Sequence, residues 1–209
     1  MRQDFFGPTV LEEPRLALRE LARIALACGL RLGEATGLRW QDVDLSTGEV
    51  RIRQQLQAVG KRLEVQELKT EKSRRTLALP LVCLAALRTY RTRQLEQRLK
   101  SGQDWKESGL VFTIGRRGKD KQLGTPLHPR NVLRILHALL ADAGLPRVRF
   151  HDLRHSAASL LIAAGVELVE ISMLLGHSEL RVTADVYGHL QQQTAAKAAR
   201  HMDAMLSAR

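Results

Sequence analysis

The spacing of hydrophobic residues divides the chain into a helical first stretch, a short β region and a long helical remainder. From about Pro14, apolar side chains recur as Leu18, Leu21, Ile24, Ala25 and Cys28, at the three- and four-residue steps of one helix face. Gly29 ends that run, and a second, short helix is expected over about Leu32–Leu38, before Trp40. Over Gly48–Arg53 the period changes to two. Val50 and Ile52 fall on one side and Arg51 and Arg53 on the other, which predicts a half-buried strand. Further strands near Gln55–Leu68 and Thr76–Leu79 make residues 48–79 a small antiparallel sheet.

Pro80 is expected to open a long helix to about Lys100, since a first helical turn accommodates proline, and Ser101-Gly102 to break it. Leu110–Ile114 reads as a short strand, and Gly115–Gly124 as a basic, glycine-punctuated loop. A helix follows from about Pro129 to Ala143, stopped by Gly144 and Pro146. After Phe150 come a helix to about Ala164, a second over about Glu167–Leu175 and a third reaching Tyr187, separated by Gly165, Gly176 and Gly188. The tail from Gln191 is rich in Ala and Gln and fits one final helix. No repeat or linker marks a boundary, and 209 residues fit one domain. The expected class is α+β, mainly α-helical, with a small antiparallel β-sheet.

Composition adds a partner. The chain is 44% hydrophobic and 26% charged, which excludes wholesale disorder. It carries 33 Lys and Arg against 22 Asp and Glu, a formal net charge of +11. A domain this basic meets a polyanion, most commonly nucleic acid. No apolar run approaches the roughly 20 residues of a membrane span. Met1–Pro8 contains Asp4 and lacks the apolar core of a secretory signal. Cys28 and Cys83 read as reduced core thiols, which fits a cytoplasmic location and excludes a disulfide scaffold or a cysteine-rich zinc site.

Candidate chemistry lies in four places. His151-Asp152-Leu153-Arg154-His155 begins a helix, with His151 and Arg154 three apart and so on one face. Leu175-Gly176-His177 precedes Tyr187 by ten residues. In Gly29-Leu30-Arg31-Leu32-Gly33-Glu34, an arginine and a glutamate are again three apart. Lys69-Thr70-Glu71-Lys72-Ser73-Arg74-Arg75 lies at a hairpin bend. Taken singly, each has a bland reading: a solvated arginine, a packed histidine or tyrosine, a solvated basic loop. The set and its order change that reading.

Over about Leu21–Leu190 the chain resembles the tyrosine recombinase, or phage integrase, family. Gly29–Glu34 is similar to the box of the family's first catalytic arginine, and Leu38–Asp44 to the stretch that follows it. Lys69-Thr70, with Ser73, Arg75 and Leu79-Pro80, resembles the hairpin of the catalytic lysine. His151–His155 resembles the His-x-x-Arg box, and Leu175-Gly176-His177 with Thr183, Asp185 and Tyr187 the segment ending in the nucleophile. The resemblance implies the family's catalytic-domain fold and cleavage and rejoining of double-stranded DNA through a 3′-phosphotyrosyl intermediate. Its catalytic residues would be Arg31, Lys69, His151, Arg154, His177 and Tyr187. It implies no cofactor, a monomer in isolation and a homotetramer on paired DNA sites.

Elementary chemistry agrees. In-line attack on a phosphodiester builds negative charge, which catalysis must position and neutralise. Arg31 and Arg154 can bind phosphate oxygens with permanently charged, forked guanidinium groups. Tyr187 can conserve the bond energy in an ester, so rejoining needs no ATP. Lys69 can protonate the leaving 5′ oxygen, with Lys72 the competing candidate. His151 can act as base toward the tyrosine or as a phosphate donor, and His177 can donate to a non-bridging oxygen. No acidic cluster of the Mg²⁺-binding kind accompanies them, so no metal is expected. Glu34 reads as a brace for an arginine, and His155 as an orienting or capping residue. His128 and His137 read as structural or surface residues, Trp40 and Trp105 as packing.

Integrases of this family usually carry a separate helical domain ahead of the catalytic one, and too few residues precede the motifs here to hold it. The expectation is an excised single catalytic domain over residues 1–209, the alternative being a natural minimal form, with a core over about 14–190 and a C-terminal helix over about 191–209 that docks on its own domain or, as the resemblance implies, on a neighbouring protomer. Competing readings are type IB topoisomerase-like relaxation and a DNA-binding module without catalysis.

Overall fold

The computed structural model describes residues 12–60, 62–68, 70, 73–115, 122–176 and Met202. Helix α1 (Glu12–Cys28) is its hub. Leu18, Leu21, Ile24, Ala25 and Cys28 are all buried, so the predicted face is the observed one. Around α1 pack α2 (Leu32–Thr36), α3 (Leu81–Ser101), α4 (Pro129–Asp142) and α5 (Phe150–Ala163). Burying a leucine or isoleucine side chain contributes about 1.5–3 kcal/mol, so this shared face dominates the cohesion of the helices. Helix α6 (Leu168–Leu175) packs against α5 through Ala158, Ile171 and Leu175, a smaller apolar cluster.

The β region consists of β1 (Glu49–Ile52), β2 (Gln54–Val59), β3 (Arg62–Glu67) and β4 (Arg75–Ala78). The one strand expected near Gln55–Leu68 is a hairpin of two, β2 and β3, and the β region differs from the single sheet expected over 48–79. It forms two antiparallel ladders, β1 with β4 (Val50 opposite Leu77) and β2 with β3 (Leu56 opposite Val65). Only Arg53 separates β1 from β2, and its carbonyl accepts from the Leu68 amide at 2.9 Å, which joins the ladders. The reason lies in the burial pattern. Val50, Ile52, Gln54 and Leu56 are buried, whereas Gln57, Ala58 and Val59 are exposed. Alternation ties β1 to the core, and the outer part of the β2–β3 hairpin is held by its own ladder.

The second difference concerns Leu110–Ile114, expected as a strand. Among the described residues it pairs only through isolated bridges, Leu110 with Arg39 and Thr113 with Pro126. Leu110, Val111, Phe112 and Thr113 are buried in succession, so the segment is sunk in the core instead of lying on a sheet surface. Two helix starts follow the capping chemistry. Pro80 stands just before α3 instead of inside its first turn, and its carbonyl accepts from Cys83 and Leu84 at 2.9 and 3.0 Å. Pro129 is the first residue of α4, and His128 caps that helix by accepting the Arg130 amide through Nδ1 at 3.2 Å. His137 contacts the Val148 carbonyl through Nε2 at 3.1 Å, and Trp40 donates to Gln94 Oε1 at 2.6 Å, so both serve structure. The expected helices to Tyr187 and from Gln191 lie outside the described residues.

Candidate active site

The turn between α1 and α2 is where distant parts of the chain meet. Gly29 has φ +59°, a left-handed conformation that costs an L side chain about 1–2 kcal/mol. A Cβ there would also lie 2.3 Å from Leu175 Cδ2, so the glycine lets α6 close against α1. The Gly29 carbonyl accepts from Arg154 Nη1 at 2.7 Å, a bond spanning 125 residues. Arg154 is buried to 1% exposure, which fixes its guanidinium on the turn that carries Arg31.

Arg31 is the N-cap of α2. Its amide donates to Glu34 Oε2 at 3.1 Å and its Nη1 to Oε1 at 2.9 Å. Arginine has no acceptor, so the glutamate makes this cap alone. The Arg31 side chain remains 39% exposed, while that of Glu34 is fully buried. Arg75, on β4, donates through Nη2 to Glu34 Oε2 at 2.9 Å and through Nη1 to Oε1 at 3.3 Å. Its Nε donates to the Leu174 carbonyl at 2.6 Å. Glu34 is therefore a brace, as expected, but for two arginines, and Arg75 links it to the end of α6. Burial pushes the Glu34 carboxyl up, but hydrogen bonds and charge from Arg75, then Arg31, outweigh it and leave the pKa below its ordinary value.

Helix α2 reaches this position because it lies against the backbone of β2. A Cβ on Gly37 would stand 2.8 Å from the Leu56 nitrogen, and one on Gly33 3.0 Å from the Leu56 carbonyl oxygen. Gln54 Nε2 then bonds the Gly37 carbonyl at 2.7 Å.

On α5, His151 is exposed and packs edge-on against His155, with ring centroids 4.8 Å apart. Its pKa lies below the ordinary value because neighbouring atoms displace part of its water. The charges of His155, Arg154, Arg31 and Arg149 act in the same direction. His151 and Arg154 lie three residues apart on α5, and Arg154 is bonded to the turn that carries Arg31. At the start of α5 the device at Arg31 recurs: the Arg149 amide donates to Asp152 Oδ2 at 2.7 Å and its Nη2 to Oδ1 at 2.8 Å. Lys69, Lys72, His177 and Tyr187 lie outside the described residues. The flanking backbone is described: Leu68 is bonded to Arg53, and Gly176 ends α6 in the left-handed conformation.

A profile of the Phage integrase family matches residues 10–194. The chain belongs to that family. It is 34% identical over 185 residues to a tyrosine recombinase XerC-like protein of Caldanaerobacter subterraneus, covering 83% of this chain and 46% of the relative. It is 43% identical over 128 residues to an integrase of Streptomyces ambofaciens, covering 58% of this chain and 30% of the relative. The chain therefore spans about half or less of the curated relatives it matches. In fold it is similar to a Tn1549 transposon integrase solved in complex with transposon right end DNA. That likeness has a TM-score of 0.66 and 20% identity over 97% of this chain and 67% of the other. XerA recombinase gives a TM-score of 0.60 and 22% identity over 100% and 67% of the two chains. The expected fold, a mainly helical integrase catalytic domain with a small antiparallel β region, is thus the observed one.

Two contributors escaped the sequence reading. Arg75 appeared only as part of a hairpin motif, and nothing local announces its partner 41 residues away. Arg149 belongs to none of the motifs, although Arg149-x-x-Asp152 repeats the spacing of Arg31-x-x-Glu34. Among the described residues no helix is long and apolar enough to cross a membrane.

Proposed function

We propose that the chain is the catalytic domain of a site-specific DNA recombinase that cuts and rejoins DNA through a 3′-phosphotyrosyl intermediate. The observation that carries this reading is the bond from Arg154 Nη1 to the Gly29 carbonyl, which sets Arg154 on the turn that carries Arg31, with His151 three residues before Arg154 on α5. Arg154 is held by the backbone and Arg31 by a buried carboxylate, so both forks are set before substrate arrives. Preordered positive charge around the phosphate is what a transition state rich in negative charge requires.

In this mechanism the Tyr187 hydroxyl attacks the phosphorus while His151 takes its proton. The bond to the 5′ oxygen breaks, and Lys69 supplies the proton that oxygen needs. Arg31, Arg154 and His177 hold the non-bridging oxygens. The lowered pKa of His151 keeps its ring neutral near pH 7, the form that accepts a proton. The tyrosyl ester retains the energy of the broken bond, so attack by a 5′ hydroxyl of a second strand completes the exchange without ATP. Arginines supply the charge that a metal supplies elsewhere, so the reaction needs none. The partner is double-stranded DNA, to which the +11 charge is complementary, and the work takes place in the cytoplasm. The chain is a monomer alone and one of four protomers on two paired sites, with residues 191–209 docking on a neighbour.

The test is covalent capture. With a nicked duplex carrying its recombination site, the protein becomes joined to the 3′ phosphate through Tyr187, and Tyr187→Phe binds equally but forms no adduct. An adduct that persists in Tyr187→Phe refutes the assignment. Relaxation of supercoiled DNA without any exchanged product would move the reading to a type IB topoisomerase.

A further inference from the structure

Arg149 stands two residues before His151, at the start of the same helix, and its side chain is 81% exposed. An exposed arginine is ordinarily a mobile one, and fixing it costs up to about 2 kcal/mol of side-chain entropy. Here that cost has already been met. Asp152 engages Nε at 3.1 Å and Nη2 at 2.8 Å and accepts the Arg149 amide as well. Among the described residues no acceptor bonds Nη1, which leaves it for another. The arrangement is the one that braces Arg31, with a smaller carboxylate and a more exposed guanidinium.

We propose that Arg149 is a phosphate-positioning residue: its Nη1 holds a DNA phosphate next to the one taken by Arg31 and Arg154. This inference rests on the DNA-recombinase reading of the site. Arg149 is the N-cap of α5 and His151 is the second residue of that helix, so a phosphate bound at Arg149 lies beside the reacting one. Asp152 gives the guanidinium a fixed direction, and that direction sets the register of the duplex over the site instead of adding charge alone.

The experiment compares the 209-residue protein with Arg149→Gln, Arg149→Lys and Asp152→Asn on a mixed-sequence DNA duplex, titrating salt and recording thermal midpoints. Loss of one phosphate contact reduces the slope of log K against log salt by about 0.9. Arg149→Gln should show that loss with little change in thermal midpoint, because Asp152 still caps the Arg149 amide position. Arg149→Lys should restore the slope, since it keeps the cation. Asp152→Asn should keep the slope and weaken binding, since the cation remains but is no longer directed. An unchanged slope in Arg149→Gln, with wild type binding normally, overturns the proposal and leaves the recombinase reading standing. If wild type itself shows no salt-dependent binding, the DNA reading fails with it.

Discussion

Glu34→Gln isolates the brace with almost no change of shape. Both carboxylate oxygens of Glu34 are used, by Arg75 and by Arg31, and its side chain is fully buried. Arg75 is only 6% exposed in its side chain, so removing the carboxylate charge leaves a buried guanidinium without its counter-ion. Breaking a buried pair from one side costs about 3–5 kcal/mol. The half-exposed Arg31 pair adds little, because water screens it. Against a total stability of about 5–15 kcal/mol that is a large fraction. It corresponds to a fall in thermal midpoint of roughly 6–20 °C for a chain of this size. Urea denaturation with constant slope measures it directly. Glu34→Gln combined with Arg75→Met should recover a good part of the loss, since the stranded charge goes too. The pH dependence gives a second reading. The folded pKa of Glu34 lies below its unfolded value, near 4.5. Its contribution is therefore complete above that value and is lost as pH falls below it, through the folded pKa. Glu34→Gln should lack this part of the acid-side loss. A cost under about 1 kcal/mol, with the acid limb unchanged, would refute the brace.

Four further outcomes follow from the same geometry. Gly29→Ala should lower stability by about 2–4 kcal/mol, from the left-handed backbone and the Leu175 contact together, and should cut the rate of DNA cleavage by displacing the carbonyl that holds Arg154; Leu175→Ala in the same chain should return part of the activity. The acid limb of the cleavage rate should lie below pH 6.5 if the neutral form of His151 is the base, as proposed, since its pKa is lowered; a limb above that value would remove His151 from the role. Cleavage should persist in excess EDTA, and restoration by Mg²⁺ of an activity lost to chelation would overturn the arginine-based mechanism. Deleting residues 191–209 should spare the thermal midpoint of the monomer but impair assembly on paired sites, measured by sedimentation; full-rate recombination by the truncated protein, supplied with an amino-terminal domain, would remove the docking role.

Local rules carried the sequence reading a long way. The 3.6-residue period at Leu18, Leu21, Ile24, Ala25 and Cys28 sufficed for α1, because one buried face is a property of consecutive residues. The period of two sufficed for β1, and glycine or proline marked most helix ends within a few residues. The order of the motifs sufficed for the family and named Arg31, His151 and Arg154, which the fold brings together. Tertiary structure decided what depends on contacts between distant segments. The unbroken apolar run at Leu110–Phe112 reads as a strand, but only its surroundings show a segment enclosed by core, with no partner strand among the described residues. The division of the β region into two ladders depends on where the core ends, at Leu56. That Glu34 serves two arginines, and that Arg154 hangs from the Gly29 carbonyl, follows from the packing of β4, α5 and α6 around one turn. A buried charge finds its counter-ion wherever the chain folds back, and sequence spacing carries no record of that distance.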